Sequence, residues 1–234
     1  DVAIGKEFFN RDLSAGNLRL GVTRGKLDLA GTARLDSVPV KIDWAENFAD
    51  DPVRTRYRLQ GLFDNEARDK LGIDWLPDMI SGPIGVDLAF ARHRNGFAKS
   101  DVSLDLAQAS LSLARLGWNK KPGVPASAHF TISARDGLPT RIEDIRIHGG
   151  GLDALLDVTL SGNDTDAKIA RANIYRLTAG QNDVAGVVSR RPEGGWSVQI
   201  RGKKLDASTL LDDLQNSTPS TTSELPLMIE ADLE

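Results

Sequence analysis

The chain has 234 residues, 40% of them hydrophobic and 26% charged, with 22 glycines and 10 prolines, an ordinary globular composition that is neither disordered nor collagenous. Its 29 basic and 33 acidic residues leave a net charge of −4, which argues against strong non-specific binding to nucleic acid. Cysteine is absent, so disulfides, zinc–thiolate sites, iron–sulfur clusters and cysteine nucleophiles are excluded together.

From Asp1 onward there is no signal peptide and no run of about twenty apolar residues. Apolar residues instead recur with period two, the mark of a half-buried strand. The first clear stripe is Leu18, Leu20 and Val22, closed by a turn at Arg24-Gly25. Val38, Val40, Ile42 and Trp44 follow, and then Tyr57 and Leu59 with Arg54, Arg56 and Arg58 pointing outward. Asp64 to Leu71 reads as a short helix, capped by Asp64 and stopped by Gly72. Strands resume with Val86, Leu88 and Phe90, a turn at Arg94-Asn95-Gly96, and Val102, Leu104 and Leu106.

The clearest alternation puts Ala126, Ala128, Phe130, Ile132 and Ala134 on one face and Ser127, His129, Thr131 and Ser133 on the other. After turns at Asp136-Gly137 and Gly149-Gly150-Gly151, the stripe Leu152, Ala154, Leu156, Val158 and Leu160 repeats it, with Leu155 as the exception. Ile174 and the run Trp196, Val198, Ile200 continue the pattern, with turn signals at Ser161 to Asp164 and Glu193 to Gly195. Asp206 to Gln215 is predicted as a second helix, since Leu210, Leu211 and Leu214 share a face. Residues 216–223 form a polar linker, and residues 224–234 alternate like a strand just starting. The chain therefore reads as an internal piece of a longer protein: a β segment over 1–215, the linker, and the truncated first strand of a following unit.

About a dozen long strands joined by Gly/Asn/Asp turns predict a mainly β protein built as an antiparallel meander. Such a sheet must hide its apolar face by packing as a sandwich, closing into a barrel, or curling into a trough. All three give the same alternation.

Constellations that carry chemistry are thin. His93 lies between Arg92 and Arg94, His129 is at an outward strand position, and His148 ends a strand before three glycines. None has metal-ligand spacing to another. There is no Gly-x-Ser-x-Gly elbow, and Gly149-Gly150-Gly151 lacks the Lys-Ser/Thr of a phosphate loop. Asn163 to Asp166 suggests a calcium loop but lacks the completing glycine and glutamate. Two basic stretches stand out as surface patches: Trp118 to Gly123, with Lys120 and Lys121, and Arg190-Arg191 together with Lys203-Lys204. Asn163-Asp164-Thr165 and Asn216-Ser217-Thr218 match the glycosylation sequon, a short pattern that arises easily by chance. No catalytic residue, metal site or cofactor is expected, and the protein is read as no enzyme.

Three blocks look familiar. Gly31 to Phe48 resembles a strand–turn–strand signature of AsmA-like proteins. Asp105-Leu106 with Leu116-Gly117-Trp118 and Lys121-Pro122-Gly123 is similar to a second block, and Gly202-Lys203-Lys204-Leu205-Asp206 to a third. The resemblance, to the AsmA, YhdP and TamB group, covers most of residues 15–215. It implies a periplasmic region of an inner-membrane-anchored bacterial protein that carries phospholipid towards the outer membrane. The fold it implies is a long antiparallel meander curled into an open, taco-like trough with two or three short helices. The implied partners are phospholipid acyl chains, the remainder of the same chain and envelope proteins, with membrane contact through segments outside this piece and no nucleic acid.

On alternation phase, the residues expected to line the groove are Val86, Leu88, Phe90, Phe130, Ile132, Leu156, Val158, Ile174, Val198 and Ile200. Arg92 and Gly186 interrupt these otherwise apolar stripes. The competing expectation is a structural or interaction module of the cell envelope, binding no lipid, in which the same residues meet each other in a dry sandwich core.

Overall fold

The computed structural model describes residues 4–8, 11–73, 78–136, 138–162, 168–192, 194–206 and 227–233. The strands are β1 (Ile4–Phe8), β2 (Arg11–Val22), β3 (Lys26–Leu35), β4 (Val38–Asn47), β5 (Val53–Phe63), β6 (Ile80–Ser81), β7 (Ile84–His93), β8 (Phe97–Asp105) and β9 (Ser110–Leu113). Then come β10 (Trp118–Lys120), β11 (Ala126–Arg135), β12 (Leu138–Gly149), β13 (Leu152–Ser161), β14 (Lys168–Ala179), β15 (Asn182–Arg190), β16 (Trp196–Lys204) and β17 (Leu227–Leu233). Among the described residues, fourteen of these strands form one sheet in the order β1-β2-β3-β4-β5-β7-β8-β11-β12-β13-β14-β15-β16-β17, and β10-β9-β6 form a second, small sheet. The large sheet is not closed into a barrel, because β1 and β17 are its two edges.

Every neighbouring pair from β1 to β16 is antiparallel, and β17 alone runs parallel to its neighbour. A parallel pair needs a crossover of about a dozen residues or more, and residues 205–226 lie between β16 and β17. Residues 227–233 thus stand as the last strand of the same sheet. The predicted Asp206–Gln215 helix, the 216–223 linker, both sequons and the Asn163–Asp166 loop lie on or run into residues outside those described.

The helix predicted after β5 is present as α1 (Asn65–Lys70). The Asp64 carboxylate accepts from the Ala67 amide at 2.8 Å, and Gly72 just beyond it takes φ +57°, a left-handed conformation that costs glycine least. A single 3₁₀ turn, Ala114–Leu116, is the other helical element among the described residues.

Because strands alternate in direction, the connections after β3, β5, β8, β12, β14 and β16 all emerge at one end of the sheet. Two long ones with described elements fall there: residues 64–83 carry α1 and β6, and residues 106–125 carry β9 and β10. Together they plug that end. The buried Arg68 side chain donates to the carbonyls of Phe63 (3.2 Å), Gly82 (2.7 Å) and Ile80 (3.1 Å), tying α1 to β6. The Trp118 indole donates to Gly150 O at 3.1 Å, and the Asn182 amide to Leu116 O at 3.0 Å, which anchors the plug on the sheet. At the other end, the connections made of described residues after β2, β4 and β7 are short turns.

The plug corrects one sequence reading. Trp118 and Lys120 are 6% and 3% exposed, so that stretch is no basic surface loop. The Lys120 ammonium donates to the carbonyls of Ala109 (2.7 Å), Lys121 (3.1 Å) and Ala107 (3.2 Å), which satisfies all three of its donors. Desolvation by burial pulls its pKa below the usual lysine value. The second expected patch also dissolves. Arg190 pairs with Trp196 at one end of the β15–β16 ladder and Lys204 with Asp183 at the other, roughly 23–26 Å apart at the strand rise of ~3.3 Å per residue.

Candidate functional site: one apolar face of the sheet

Cross-strand partners lie on the same face of a sheet, so the register shows which side chains share a surface. One row runs Tyr57–Phe90–Ser100–Ile132–Ile142–Val158–Ala172–Val188–Val198. The next runs Leu59–Leu88–Val102–Phe130, and beyond a bulge in β12 continues as Ile145–Leu156–Ile174–Gly186–Ile200. A third contains Gly61, Val86, Leu104, Ala128, Ile147, Ala154, Leu177 and Val184. All ten residues named from alternation phase therefore occupy one face of one sheet.

That face is not uniform. Within β3 to β5, and at Leu13 of β2, it is dry: Ile42 is fully buried and Leu13, Leu29 and Leu59 are 2–5% exposed. They belong to one core that includes Phe63 and Ala67, Trp118 and Ala109 of the plug, and Leu152 and Ala179 beside it. Phe90 and Val158 are buried, and Tyr57 stacks on Phe90 with ring centroids 4.4 Å apart. Burial pushes the Tyr57 hydroxyl pKa well up. Phe130, Ile132, Ile174, Val198 and Ile200 are only half-buried, and Val86, Leu88 and Leu156 are half-buried side chains packed against the core.

Glycines on the same face let the backbone close over it. A Cβ on Gly186 would fall on the Gln199 carbonyl oxygen, and one on Gly202 on the Asp183 carbonyl oxygen, both in the neighbouring strand. Crowding of this kind arises where a sheet bends towards the face in question, and glycine relieves it. The burial and these close approaches together fit a sheet curled towards its apolar side.

The opposite face is polar and solvated, with ion pairs across and along strands: Arg58–Asp87, Arg176–Asp153 at 2.6 Å and Lys99–Asp101 at 3.0 Å. Hydrogen bonding from Arg58 holds the Asp87 carboxyl below its ordinary range and raises the Arg58 pKa in turn. Ser103 Oγ lies 3.2 Å from His129 Nδ1 on this face, and no carboxylate hydrogen-bonds that imidazole among the described residues. A hollow of about 470 Å³ also opens here, where Ala30, Ala45, Ala89 and Ala91 leave room between Asp43, Arg58 and Lys99. Among the described residues no group of three or more His, Asp or Glu side chains is placed to hold a metal ion, and no helix is long and apolar enough to cross a membrane.

The ten groove residues named from alternation phase leave out the ends of the stripes. Leu20 (59% exposed), Val22 (65%) and Ile169 (45%) lie on the apolar face near the hairpin-turn end, and Phe48 (56%) lies just beyond β4 there. Leu20 and Val22 already stood in the first stripe read from the sequence, and Phe48 follows Trp44 and Glu46 in the phase of β4. Comparison of the chain with protein-family models, with curated proteins and with solved structures gave no match.

Proposed function

We propose that the chain is a segment of an inner-membrane-anchored periplasmic protein that carries phospholipid along the apolar face of its sheet towards the outer membrane. The observation that supports this reading most is the continuity of that face. Ten aliphatic and aromatic positions spread over β7 to β16 line one surface of a sheet that never closes on itself. The AsmA-like blocks in the sequence supply the periplasmic setting and the lipid cargo.

Acyl chains leave water by lying on such a lining, at about 25 cal/mol per Å² of apolar area removed. A lining without fixed polar partners holds a chain at no single position, which suits a ligand that slides. Catalysis is not required.

The second reading, a structural module with a self-buried core, draws support from the dry packing around Ile42. Native mass spectrometry of the purified protein separates the two when paired with Ile174→Asp and Ile200→Asp. Both positions are half-buried and outside the buried core. Under the lipid reading, phospholipid co-purifies with the protein, and both variants stay folded while losing it. Under the structural reading no lipid is found, and the variants lose stability by several kcal/mol because an unpaired charge is buried.

A further inference from the structure

The apolar face carries three charged residues among the described side chains: Glu46, Arg92 and Arg190. All three lie at the hairpin-turn end. Glu46 is neutralised by Arg54, whose Nε is 2.8 Å from its carboxylate. Arg92 and Arg190 have no carboxylate partner among the described residues. Arg92 continues the stripe Val86, Leu88, Phe90, and its guanidinium lies 5.5 Å from the Phe90 ring centroid. Arg190 continues Val184, Gly186, Val188, opposite Trp196. Both are exposed.

The two rims of the sheet differ accordingly. One is covered by α1, the small sheet and their buried Arg68 and Lys120. The other, among the described residues, carries no such element and shows large apolar side chains together with cations. An amphiphile on this face can place its tails among Phe130, Ile174 and Ile200 and its headgroup at the hairpin-turn rim, where an arginine ends two of the stripes.

We propose that the face selects amphiphiles with an anionic headgroup, and that Arg92 and Arg190 are the headgroup ligands at the hairpin-turn rim. Guanidinium is always charged and presents a fork of donors matched to phosphate oxygens. The two arginines are six strand spacings apart in the sheet order, roughly 29 Å along the sheet, so they form two successive headgroup stations rather than one clamp. This inference rests on the lipid-carrying reading above.

The test is uptake from vesicles by the full 234-residue chain, with phosphatidylglycerol, phosphatidylcholine and diacylglycerol of identical acyl chains in competition, read by native mass spectrometry. A cation near a lipid surface contributes about 1 kcal/mol, or about fivefold per arginine. Phosphatidylglycerol is expected to be retained over both phosphatidylcholine and diacylglycerol by at least that factor, and equal retention of phosphatidylglycerol and phosphatidylcholine would overturn the proposal. Arg92→Gln with Arg190→Gln should erase the preference by lowering phosphatidylglycerol uptake to the level of diacylglycerol, and the Lys variants should restore most of it. Arg201→Gln, on the polar face, should change nothing. Equal uptake of all three lipids by the wild type would overturn the proposal, as would a preference that survives the double substitution or is lost equally in Arg201→Gln; the groove reading would stand in each case. If no lipid of any headgroup is taken up, the groove reading itself fails, and this inference with it.

Discussion

Gly186 shows how a single position can set the shape of a surface. It sits on the apolar face between Ile174 and Ile200, with the Gln199 carbonyl where a Cβ would stand. Gly186→Val should cost about 1–3 kcal/mol, since β15 and β16 would have to separate. Gly21→Ala is the contrasting case, because the nearest atom to its Cβ would be Asp28 O at 4.0 Å. That substitution should be neutral or stabilise by about 0.4–1 kcal/mol through the unfolded chain, and chemical denaturation of both variants checks the pair. On the polar face, Asp87 accepts from Arg58 and Gln60, and its pKa is lowered in the folded state. Its contribution is therefore present above the ordinary carboxylate pKa and fades as pH falls through the folded value. Asp87→Asn should cost about 0.5–1 kcal/mol at neutral pH and progressively less under acid, with the difference also shrinking in about 1 M salt. The polar positions and the interruption at Gly186 could be read from alternation alone. The close approach at Gly186 could not, because it depends on which strand lies alongside.

At the scale of elements, period two exposed the long strands because each spans enough residues to show its phase. The helix α1 was legible for a different reason: Asp64 and Gly72 mark its ends chemically. The small sheet was not legible, since strands of two to four residues carry no usable period. Lys120 looked like a surface charge because sequence does not reveal the ring of carbonyls that surrounds it. Strand direction is likewise absent from an alternation pattern, so nothing foretold that β17 would lie parallel to β16. The plug gives a sharp prediction. Arg68→Met would leave the carbonyls of Phe63, Ile80 and Gly82 without the donors that Arg68 supplies. It should cost about 2–4 kcal/mol and speed hydrogen exchange in residues 78–84 before the large sheet is affected. The sheet itself should show a gradient. Ile42→Ala, at a fully buried site, should cost about 2–5 kcal/mol, and Ile200→Ala, at a half-buried one, markedly less.

The whole molecule is a single long meander with two unlike faces and two unlike rims. Its buried core, which runs from Leu13 of β2 to Ala179 of β14, carries stability, and the half-buried Phe130, Ile132, Ile174, Val198 and Ile200 offer apolar surface that the chain itself does not fully cover. That division of labour is what a lipid-carrying segment needs: a rigid anchor for the sheet and an apolar strip left free for cargo. The central claim is most directly tested by photo-crosslinking in phospholipid vesicles, with a photoreactive residue placed in turn at Ile174 and Ile200 on the apolar face and at Asn173 and Gln199 on the polar one. The account predicts lipid adducts at Ile174 and Ile200 and none above background at Asn173 and Gln199. Absence of adducts at the first pair, or equal labelling of both pairs, would contradict it.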